Sequence, residues 1–127
     1  MESRKTRWVG YGITGLVLLF LLFDSLGKLL KVAPVIEGSA KLGYPESSIV
    51  GIGVVLLLST VLFAIPRTSV FGAILLTGYL GGAVATHVRV GSPLLTHQLF
   101  PVYLGMLLWV ALYLRNEKLR RLLSAFV

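Results

Sequence analysis

Few side chains in this sequence can do chemistry, and most of them border long apolar runs. Asp24 lies within the first run and Lys28 follows it by four residues, so a helix puts both on one face as a self-neutralising pair. A charge in hydrocarbon is costly enough to mark function by default; the plainer account is an ion pair at a helix end, with Lys28 snorkelling to water. His87 and Arg89 end the third run, His97 opens the fourth, and Glu37, Lys41 and Tyr44 occupy the connection after the first. Threading the runs across a bilayer brings these groups to one end. Asp24, Lys28, Tyr44, His87, Arg89 and His97 are therefore the candidate ligand-binding residues. Their donors and acceptors suit the polar head of a small lipophilic molecule, whose apolar part suits the helices. Imidazole titrates near neutral pH, so His87 could also relay a proton.

Other chemistries are excluded or poorly served. The chain has no Cys, which rules out a disulfide scaffold, a thiolate zinc site, an iron–sulfur cluster and dithiol redox cycling. His87 and His97 stand ten residues apart with no third His, so a zinc site would need Asp24 or Glu37 to complete it. A haem would need the two rings to face each other across its plane. Neither metal nor haem is expected. Ser25, Ser59 and Ser92 have no base and orienting group at motif spacing, so no catalytic residue is assigned.

The elements that must position these residues follow from composition. Of 127 residues 56% are hydrophobic, mean hydropathy is +0.88 and only 13% are charged, against roughly a quarter in soluble domains. A bilayer core needs about 20 apolar residues per helix. Runs at about 8–30, 47–65, 69–88 and 93–114 meet that length, giving an all-α, polytopic four-helix membrane bundle over one domain, 1–127. Pro66 ends the second run and forces a tight hairpin to the third. Ser92-Pro93 reads as an N-cap and first helical position, which leaves Pro101 inside the fourth helix as a kink, on one face with His97. Between the first two runs, Pro34 as a start, Glu37 and Lys41 at i,i+4 and Gly43 as a C-terminal cap predict a short interfacial helix roofing the bundle. The tail, 115–127, separates charges from leucines and should lie on the membrane surface. Gly78, Gly82 and Thr86 repeat every four residues, and Gly51 and Gly53 open the second run; both patterns predict close helix contact.

The net charge of +7 reads as topology rather than nucleic-acid binding. Arg4, Lys5, Arg7, Arg67, Arg115, Lys118, Arg120 and Arg121 fall on one side, against Lys28, Lys31, Lys41 and Arg89 on the other. That asymmetry predicts a multi-pass inner-membrane protein with both termini cytoplasmic. A cleaved signal peptide is opposed by the length of the first run and by the lack of a small-x-small site before Asp24 and Lys28.

Several segments carry a resemblance. Leu22-Phe23-Asp24-Ser25-Leu26-Gly27-Lys28-Leu29, Glu37-Gly38 through Leu42-Gly43-Tyr44-Pro45, Ala64-Ile65-Pro66-Arg67, Gly82 through His87-Val88-Arg89-Val90-Gly91, and Leu112-Tyr113-Leu114-Arg115, in that order, resemble the DoxX-like family of small bacterial four-helix membrane proteins. The resemblance implies the architecture more than a reaction. Relatives are linked to a membrane thiosulfate:quinone oxidoreductase and to membrane oxidoreductase assemblies, and distant ones to chaperone or cargo handling. Asp24, Gly27, Lys28, Gly43, Tyr44, Pro45, His87, Arg89 and Gly91 stand at motif positions. The residue before Gly27 varies among such proteins, so Ser25 and Leu26 receive no role.

Two functional classes follow. One is a binding or redox-accessory protein holding a quinone-like molecule at the outer end of the bundle. The other is a structural or assembly subunit that meets a membrane-protein partner, or a second copy of itself, through the glycine-rich third run and the basic tail. Solute transport ranks last, because no inverted repeat is evident.

Overall fold

The computed structural model describes residues 4–126, so Met1, Glu2, Ser3 and the last residue of the tail, Val127, lie outside the described residues. Helix α1, Arg4–Leu30, is long enough to cross a bilayer obliquely, and Lys31 turns the chain with a φ of 50°. Helix α2, Ala33–Lys41, has Pro34 in its first turn and ends at Gly43, whose φ of 88° is the left-handed conformation glycine adopts most readily. A 3-10 turn, Glu46–Ser48, leads into α3, Ile49–Ala64. The hairpin at Pro66 returns the chain as α4, Ser69–Val90, which Gly91 caps with a φ of 73°. A π turn, Leu94–Gln98, precedes α5, Phe100–Arg115, and α6, Glu117–Ser124, closes the described chain.

The roofing helix is present as expected, but the fourth span is broken rather than kinked. Proline has no N–H to donate back to the preceding turn. The chain therefore widens into the π turn, in which Gln98 N donates to Pro93 O and Leu99 N to Leu94 O, and restarts with Pro101 in the first turn of α5. Ser92 is not the N-cap; the chain before this turn is capped at Pro93, without a side-chain bond.

Among the described residues four segments are long and apolar enough to cross a membrane: Arg4–Leu30, Glu46–Ala64, Ser69–Val90 and Leu94–Arg115. They pack in a ring in which α1 touches α3 and α5, and α4 touches the same two. Only about a fifth to a third of each span is buried inside the protein, while residues such as Leu19, Phe23, Leu58 and Phe71 face outward. A surface so apolar needs lipid around it, and the chain is an integral membrane protein.

The core is concentrated toward the chain termini. Phe63, Leu76, Leu108 and Leu112 are fully buried there, and a Cβ added at Gly72 would collide with the Phe63 backbone, 2.6 Å from its Cα. Arg115, counted in sequence as a topology charge, donates to Phe63 O at 3.1 Å and Ser69 Oγ at 3.3 Å and lies over the Phe63 ring. It clamps the hairpin. Asn116 caps α6 by accepting from Leu119 N, and Leu119 is buried against the bundle.

Candidate functional site

At the opposite end the same four helices enclose a cavity of about 920 Å³. Its apolar wall includes Leu21, Leu80 and Leu104, which also belong to the core cluster, and α2 contributes Val35, Gly38 and Ser39. Asp24, Lys28, Tyr44, His87 and His97 line it. Arg89, the sixth candidate, does not: its guanidinium donates to Leu42 O at 2.6 Å and ties down the end of α2.

The lining groups are held by local geometry. Lys28 Nζ donates to Asp24 Oδ1 at 2.5 Å, with both side chains partly buried, so the ion pair is itself part of the wall. Tyr44, carried past α2 by the Gly43 turn, shares a hydrogen bond of 2.8 Å with Thr86 Oγ1. The Gly91 cap folds Ser92 back so that its hydroxyl meets His87 Nδ1 at 2.9 Å. The π turn then brings the His97 ring edge-on to His87, with centroids 5.8 Å apart, and His97 Nδ1 bonds Thr96 Oγ1. Each imidazole thus spends Nδ1 on the protein and leaves Nε2 without a partner among the described residues. Among the described residues no three His, Asp or Glu converge where a metal could sit.

Tyr79, Gly78 and Gly82 line the cavity although sequence reasoning gave them no place in the site. Tyr79 is half-buried on α4, makes no hydrogen bond among the described residues and lies within electrostatic reach of Asp24 and Tyr44. Gly78 and Gly82 were expected to pack closely against a helix. Instead a Cβ at either meets nothing within 4 Å, and both line the cavity. Close contact falls at Gly53, whose Cβ would lie 2.9 Å from Lys28 Cβ, and at Gly72. A signal existed for Tyr79: with Ala83 and Thr86 it makes an i, i+4, i+7 face that puts hydroxyls inside an apolar span. Lys41, read only as part of the roof, also lines the cavity and has no ion-pair partner among the described residues.

The sequence profile of the DoxX-like family matches residues 12–111. This chain belongs to the DoxX-like family. No curated protein and no solved structure matches it. Every residue lining the cavity of this DoxX-like protein, from Phe20 to Leu104, falls within the matched region, whereas the Arg115 clamp and α6 lie beyond it.

Proposed function

We propose that this DoxX-like protein binds a small lipophilic molecule with an oxygen-bearing, quinone-like head in the cavity. It would serve as a redox-accessory component of a bacterial inner membrane, with the cavity at the outer face and both termini cytoplasmic. The observation that carries the reading is the set of hydrogen-bonding groups without a partner among the described residues that border a largely apolar hollow: the Tyr79 hydroxyl, the Lys41 side chain and one nitrogen of each imidazole. A ring with two carbonyl oxygens needs apolar walls for its faces and donors for its ends, and the hollow offers both. A bound quinone would supply the redox chemistry. The chain's own part is to hold and orient the head, with Asp24 fixing Lys28 in the wall. The orientation rests on the eight basic residues of the terminal side against four on the cavity side. We read residues 1–127 as one transmembrane domain built around this site.

The test is extraction. Lipid recovered from the purified protein should contain a quinone-like molecule, and Asp24→Asn should weaken its retention. Recovery of phospholipid alone, with the same binding in the variant, defeats the reading.

One observation favours a second reading, an assembly subunit: Gly81 is exposed on α4 outside the cavity lining, with nothing within 4 Å of a Cβ among the described residues, and the glycines around it would let a partner's helix approach closely. In that case Gly82→Leu abolishes co-purification with the partner, and Asp24→Asn costs stability only.

A further inference from the structure

We infer that the lipophilic ligand reaches the cavity sideways from the bilayer, through a portal between α3 and α4 that the Tyr79 ring closes. The inference rests on the cavity being a site for such a ligand, and it concerns the route. Helices α3 and α4 are locked at their hairpin end, where Gly72 lies on the Phe63 backbone. Towards the cavity they lose that contact: Gly51 on α3 and Gly78 and Gly82 on α4 have nothing within 4 Å of a Cβ. Gly78 and Gly82 are exposed and line the cavity, so the hollow is open, not sealed, along this stretch of α4.

A second hollow of about 480 Å³ lies on that side, lined by Ser48, Gly51, Ile52, Val55 and Tyr79. Ile52 and Tyr79 border both hollows and form the partition between them. Tyr79 sits midway along the 22-residue α4, at the depth of the acyl chains. It has no hydrogen bond to break among the described residues, so its ring can swing at the cost of packing alone.

The other ways in are fastened. Phe20 and Phe100 meet with centroids 5.3 Å apart and bridge α1 to the start of α5. The roof is tied by the Arg89 bond to Leu42 O and the Tyr44 bond to Thr86. Gly53 against Lys28 closes the α1–α3 seam and the Trp109 bond to Thr77 ties α5 to α4, so the seam between α3 and α4 opens most cheaply.

The portal is tested with Gly51→Phe, which fills the outer hollow, leaves the cavity lining untouched and has open space for its side chain. Protein in nanodiscs is mixed with vesicles carrying a decyl-tailed benzoquinone. A narrowed portal raises one barrier in both directions, so uptake and release should each slow by about ten-fold while Kd stays the same. Rates equal to those of the parent overturn the portal. A second measurement needs no ligand. The chain has no cysteine, so Ala83→Cys places a single bimane fluorophore in the cavity. Quenching by lipids with a mid-chain nitroxide, suppressed by Gly51→Phe, supports the route; quenching by aqueous iodide alone overturns it. If the parent protein takes up no benzoquinone but the nitroxide still quenches, the binding reading falls while the opening stands.

Discussion

The two ends of this bundle are made from the same four helices, yet one is solid and the other hollow. At the terminal end Gly72 lets α3 and α4 touch backbone to backbone, and Phe63, Leu76, Leu108 and Leu112 fill the remaining space. At the other end Gly78 and Gly82, on the same helix as Gly72, touch nothing, and the space they leave belongs to the cavity. Polar groups follow the same division. Arg115 is absorbed into the hairpin it clamps, whereas Tyr79, Lys41 and the two imidazoles border the hollow with hydrogen-bonding capacity unspent among the described residues. Glycine in a membrane helix is thus ambiguous by itself: it brings helices together where the opposite chain is close and opens room where it is not.

The largest effects should come from the solid end. Gly72→Ala pushes a methyl into the Phe63 backbone, which has no rotamer to yield, and should cost about 3 kcal/mol, read as a fall in thermal stability in detergent. Gly78→Ala and Gly82→Ala should each stay within about 0.5 kcal/mol of the parent. Equal losses at all three glycines would erase the distinction between the ends. Next is Arg115→Met, which leaves Phe63 O and Ser69 Oγ without their donor and should cost about 2 kcal/mol. Arg115→Lys should recover only part of this, since one ammonium cannot reproduce the planar fork.

How much of this was legible in the sequence follows the same line between ends. Run length gave the four spans, Pro66 gave the hairpin, and Pro34 with Gly43 gave the roofing helix, because each is a local rule about hydrocarbon thickness or backbone freedom. The spacing of Asp24 and Lys28 gave their pair for the same reason. What escaped depended on the other helix. Whether Gly78 packs or vacates, and whether Arg115 faces water or Phe63, is decided by chain distant in sequence. Pro101 was read as a kink because the single-helix rule does not reveal that a π turn can absorb the break. Arg89 was drawn into the site by its neighbour His87, though it lies two residues further along the helix and reaches the roof instead.

In the hollow end, stability and binding should come apart. Asp24→Asn leaves Lys28 partly buried and unpaired and should cost about 1 kcal/mol, a modest figure because both side chains retain some exposure. Adding Lys28→Met should restore that stability, as a double-mutant cycle would show. It should not restore retention of the benzoquinone, since the polar wall is gone. Recovery of both would mean that the pair only closes a helix end.

The smallest expected effect is at the roof. Tyr44→Phe deletes one hydrogen bond, to Thr86, and should cost about 0.5–1 kcal/mol. Thr86 keeps its bond to Gly82 O, so no buried group is orphaned and the bundle should hold its shape. The change should appear locally instead, as faster amide exchange over α2, which has no buried residue of its own and relies on its ties to α4. Exchange in α3 and α4 at the hairpin should be unaltered. Faster exchange at both ends would show that the roof is coupled to the solid core, and the contrast between the ends would then be one of packing but not of motion.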